Sequence, residues 1–172
     1  WIFMTALLEQ QLQHDFEWSR KELYKKDLGN SIEKLSCDYF VTFTFRNPEI
    51  SKESAEKALK LFIMRINRSL FGNRPKRKLI MIPFIEKNYF QGYHFHIFMK
   101  IPEGFYDNTI KVEMKKQWCL LAESGKSTFE ANLDGNHKWF TPINDSEGLS
   151  KYVLKQSNNC KIDNLVSDLI SK

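Results

Sequence analysis

The chain has 172 residues, 42% of them hydrophobic, with 14 phenylalanines, only 5 prolines and a formal net charge of +5. That length and apolar content predict one domain around one substantial core and exclude a disordered chain, while the basic excess makes a polyanion a candidate partner. Cys37, Cys119 and Cys160 are odd in number and far apart, so they form no disulfide framework or zinc ribbon and point to a reducing, cytoplasmic setting.

No apolar run reaches membrane-spanning length, and Trp1-Ile2-Phe3-Met4 lacks the basic flank and length of a signal peptide. Residues 5–26 read as an amphipathic helix through Leu8, Leu12, Phe16 and Leu23, stopped by Gly29-Asn30. Residues 1–38 are accordingly expected to be an N-terminal helical extension, and 39–172 the domain proper. Tyr39 to Phe45 is the clearest strand, with Val41, Phe43 and Phe45 on one face and Thr42 and Thr44 on the other. The apolar face is expected to pack on helices and the hydroxyl face to stay open. Ser51 then caps a helix whose buried stripe runs from Ala55, Ala58 and Leu59 through Phe62, Ile63 and Ile66 to Leu70. Arg74, Lys76, Arg77 and Lys78 form a basic loop: a solvated connection first, a phosphate contact second.

Lys78 to Glu86 predicts a second strand, with Pro83 marking an edge or bulge, and Tyr93 to Ile101 returns from the turn as a third. Residues 107–122 follow as a helix through Ile110, Met114, Trp118 and Leu121. A short strand around residues 137–143 leads to a last helix, capped by Asp145 or Ser146, that carries Tyr152. The order β-α-β-β-α-β-α predicts an α+β fold: an antiparallel sheet with helices on one face, ferredoxin-like or RRM-like. Gly125-Lys126-Ser127-Thr128 resembles the end of a phosphate-binding loop, but Leu120 stands where the first glycine belongs, and a helix precedes it where a strand should.

The chemistry concentrates in the third strand. His94 and His96 are two residues apart, so their imidazoles share a face while Phe95, Ile97 and Met99 take the opposite one. Two imidazoles side by side are a pair of metal ligands in waiting. The hairpin is expected to bring Glu86 beside them as a third. Tyr93 should point away from His94, and His14 and His137 join no cluster.

A strand ending in FVTFTF, a His-hydrophobe-His strand and a Tyr-x-x-Lys helix, in that order, resemble the HUH endonucleases. Within them the chain is most similar to the single-tyrosine initiators of rolling-circle replication in plasmids and phages. The three motifs match Phe40 to Phe45, His94-Phe95-His96 and Tyr152-Val153-Leu154-Lys155, and the carboxylate ligand of such initiators matches Glu86. The resemblance spans roughly residues 39–157 and leaves the N-terminal helix outside. It implies a DNA nickase and strand transferase acting on single-stranded DNA, or on a DNA hairpin at an origin or element end, as a homodimer and with a host helicase. In the related transposase branch a glutamine one turn after the tyrosine serves as a ligand, so Gln156 competes with Glu86 for the third position. Transposase action on transposon-end hairpins, and a non-catalytic single-strand-binding module, stay open as other readings.

Nicking by tyrosine needs an activated phenol and a neutralised phosphate, because the free phenol, with a pKa of about 10, is a poor nucleophile at neutral pH. A divalent cation on His94, His96 and Glu86 would neutralise the phosphate. Mixed imidazole and carboxylate donors suit Mn²⁺ or Mg²⁺, with Zn²⁺ a weaker fit to the expected chemistry. Tyr152 is then the nucleophile of a 5′-phosphotyrosine intermediate, and Lys155 stabilises charge from the same helix face. Thr42 and Thr44 on the open face, with Arg74, Lys76 and Arg77 in the loop, are the expected DNA contacts.

Overall fold

A computed structural model describes residues 32–73, 77–88, 92–121 and 139–144, with a few isolated positions before and after them. The main elements among the described residues are, in order, β1 (Tyr39–Thr44), α1 (Lys52–Phe71), β2 (Ile80–Asn88), β3 (Gly92–Lys100), α2 (Asp107–Cys119) and β4 (Phe140–Pro142). The four strands form one sheet in the order β2-β3-β1-β4, and every neighbouring pair is antiparallel. This α+β architecture, with helices packed on the sheet, is compatible with a ferredoxin-like core. Pro83 lies in β2, an edge strand, where a missing backbone donor is tolerated.

Strand alternation divides the residues as the pattern predicts. Val41, Phe43 and Phe45 join Phe95, Ile97, Met99, Met81 and Ile85 in the main core, beneath α1 and α2. Phe43 stacks on Trp118 with ring centroids 4.4 Å apart, tying β1 to α2. The α1 stripe is buried at Ala55, Ala58, Leu59, Phe62 and Ile66, and the Ser51 hydroxyl caps it by accepting from the Ser54 amide at 3.1 Å. Asn67 is buried as well: its amide donates to the Ile63 carbonyl and its oxygen accepts from the Leu79 amide, both at 2.9 Å. Both bonds satisfy a polar group that would otherwise be costly to bury, and they fix where the chain leaves α1 for β2.

The opposite sheet face departs from the expected open surface. At one end Phe40, Ile82, Phe84 and Phe98 lie in phase with the histidines, and Ile32, Leu35 and Cys37 cover them in a second apolar cluster. The alternation that sends Thr42 and His96 outward also sends these large apolar groups outward, so that half must be shielded from water. The covering segment also overturns the expected stop at Gly29-Asn30. Both residues are helical, residues 32–35 are helical as well, and Ser36 follows with a positive φ of 47°. Burial of Ile32, 1% exposed, outweighs the roughly 1 kcal/mol that glycine costs inside a helix.

Among the described residues no helix is long and apolar enough to cross a membrane. The expected last helix with Tyr152, Lys155 and Gln156 lies outside the described residues, as do Arg74, Lys76, His14, His137 and the Gly125–Thr128 segment.

Candidate metal centre

The half of that face that no described residue covers holds the polar residues. Antiparallel pairing sets Thr44 and Glu86 on either side of His94, and Thr42 and Phe84 on either side of His96. Glu86 Oε2 stands 3.4 Å from His94 Nε2 and 3.3 Å from His96 Nε2, so one carboxylate oxygen serves both rings. The candidate donor atoms of all three residues lie within 4.8 Å of one another. Two donors each about 2.1 Å from one cation and 90–110° apart stand about 3.0–3.4 Å from each other, which matches both histidine–carboxylate separations.

Gly92 fixes the hairpin that makes this convergence. Its φ is +69°, and a Cβ there would come within 2.0 Å of the Pro48 carbonyl oxygen. Only glycine lets β3 begin this close to the loop that follows β1, two residues before His94.

The electrostatics favour a cation. Burial is the main cause that lowers the His94 pKa below 6.5, with the neighbouring His96 charge adding to it. Glu86 is held below 4.5, chiefly by its hydrogen bond with His96 and against the effect of burial. The pair thus offers a neutral imidazole and an ionised carboxylate at neutral pH, the protonation states that a divalent cation requires. Glu86 and His96 keep side-chain exposures of 26% and 20%, so the centre opens to solvent on their side, while His94 is enclosed at 8%.

No family model, curated protein or solved structure matches the chain.

The structure unites His94, His96 and Glu86 as expected and turns Tyr93 to the core side. Gln156, the expected rival of Glu86, lies outside the described residues. Arg77 donates from Nη1 to the Glu103 carbonyl at 3.2 Å, at the far end of β2 from Glu86. Sequence reasoning missed the groups that hold His96: Thr42 Oγ1 lies 3.1 Å from its Nδ1, and the Phe40 ring stacks on it, with centroids 5.2 Å apart and planes at 14°. The signal was available, since Phe40 and Thr42 share the outward face of β1. Pairing β1 directly with β3 was the missing step.

Proposed function

We propose that the chain is a metal-dependent, HUH-type nickase and strand transferase acting on single-stranded DNA. The observation that supports this reading most is the His94–His96–Glu86 cluster, on the half-face of a four-stranded antiparallel sheet that no described residue covers. His94, His96 and Glu86 would hold a divalent cation, Mn²⁺ or Mg²⁺ for phosphate chemistry, which when bound polarises the phosphate as a Lewis acid. The enclosed His94 anchors the site, while the exposed edges of Glu86 and His96 leave room for a phosphate oxygen.

In this reading the phenol oxygen of Tyr152 attacks the scissile phosphorus and the P–O3′ bond breaks. The phenol proton is given up as the leaving oxygen gains one, which yields a 5′-phosphotyrosine and a free 3′-hydroxyl. Lys155, one turn on, would stabilise the charge that gathers on the phenolate and phosphate. Rolling-circle initiation and transposition share this chemistry and differ in the DNA that is presented.

Purified protein incubated with labelled single-stranded DNA and Mn²⁺ should form a covalent adduct that survives denaturation and carries the 3′-side fragment. Tyr152→Phe should bind the same DNA and form none. Absence of an adduct with wild type, while single-stranded DNA still binds, would replace the enzymatic reading with a binding module.

A further inference from the structure

We propose that Thr42 is a positioning residue for the metal centre, its hydroxyl governing which nitrogen of His96 is free to bind the cation. This rests on the reading of His94, His96 and Glu86 as a metal site. Thr42 is the direct cross-strand partner of His96, and its Oγ1 is 3.1 Å from His96 Nδ1. Its β-branched side chain is restricted at χ1, so the strand presets the direction of the hydroxyl. Phe40 lies against the His96 ring and limits its rotation.

A hydroxyl can both donate and accept, and the centre uses both abilities. Without a cation, ionised Glu86 can only accept, so the His96 proton sits on Nε2 and Nδ1 accepts from Thr42. With a cation held at Nε2, the neutral ring would carry its proton on Nδ1, where the Thr42 hydroxyl would accept it. A metal-bound imidazole is the stronger donor, so the same hydroxyl contributes more to the loaded site than to the empty one. His94 has no such support: its Nδ1 is buried with no side-chain hydrogen-bond partner among the described residues. Of the two histidines, His96 is thus the one whose far nitrogen is held by a side chain. A Thr42 hydroxyl committed to that ring has less to offer DNA.

Mn²⁺ affinity measured calorimetrically should fall about 10-fold in Thr42→Val, which keeps the β-branch and removes the hydroxyl, and stay near wild type in Thr42→Ser. Ring ¹⁵N spectra of the wild-type protein titrated with Zn²⁺, which need no variant to fold, should show His96 bound through Nε2 and protonated at Nδ1. Equal Mn²⁺ affinity in wild type and Thr42→Val, or Zn²⁺ bound through Nδ1 of His96, overturns the role of Thr42 and leaves the metal site standing. A wild-type protein that binds neither Mn²⁺ nor Zn²⁺ overturns both.

Discussion

Burial works in opposite directions on the two kinds of donor at the centre. It lowers the pKa of His94, keeping that imidazole neutral, and it opposes the ionisation of Glu86, which its histidine contacts restore. Stability should register both effects in metal-free protein. Below pH 6.5 the unfolded chain protonates His94 while the folded chain resists, so the unfolded state binds more protons and stability is lost as pH falls. Glu86 extends the same direction lower: its contribution is present above pH 4.5 and is lost as pH falls through its depressed folded value. Urea unfolding in the presence of chelator should therefore give a free energy that declines from pH 7 towards pH 5, and His94→Gln should flatten that part of the curve. An equal decline in His94→Gln would mean that other groups set the acid limb.

At the scale of elements, the sheet and its two packed helices could be read from period-2 and period-3.6 patterns because burial enforces both: Phe43, Phe95 and Ile97 are fully buried where alternation placed them. The hairpin carried Glu86 to the histidines for the same reason, since register follows from which face is buried. The end of the N-terminal segment was not legible. Gly29 is a strong local stop signal, and only a tertiary contact, Ile32 beneath Phe98 and Ile82, explains why the helix runs past it. Cys37 reports on that contact. Burial, helped by the nearby Asp38 charge, pushes its thiol up to about 11, whereas Cys119 is exposed. Alkylation at pH 8, followed by peptide mapping, should label Cys119 rapidly and Cys37 slowly. Ile32→Ala, expected to cost about 2–4 kcal/mol in a well-packed site, should speed Cys37 labelling at least 10-fold without changing Cys119. If Cys37 stays protected in that variant, the segment is held to the sheet by other contacts, among them the 2.7 Å hydrogen bond from Lys100 Nζ to the Leu35 carbonyl.

At the scale of the whole molecule, the question is how a net charge of +5 is used by a chain whose candidate centre is locally acidic. In the proposed function the cation would offset Glu86, and the basic side chains would guide the polyanion from a distance. Arg77 stands just before β2, and the six steps along the strand from Ile80 to Glu86 separate it from the centre by about 20 Å at the rise of a strand. In the proposed function a DNA strand with one phosphate at the centre would reach Arg77 by running along the sheet, over the face whose far end Ile32 and Cys37 cover. Two routes are thus in competition, and salt dependence separates them. For single-stranded DNA each neutralised phosphate adds about 0.7 to the slope of log affinity against log salt. Arg77 already donates to the Glu103 carbonyl, so it has at most part of its guanidinium to give, and its contribution should not exceed one phosphate. Measured by fluorescence anisotropy in Mn²⁺, Arg77→Glu should lower the slope by about 0.7, and the combined reversal of Arg74, Lys76 and Arg77 by about 2. Loss of the centre through His96→Ala should weaken binding at every salt concentration by a similar factor and leave the slope contributed by the loop in place. An unchanged slope in the triple reversal would return the loop to a solvated connection and send the DNA across the other end of the sheet, past Thr44 and the Gly92 turn.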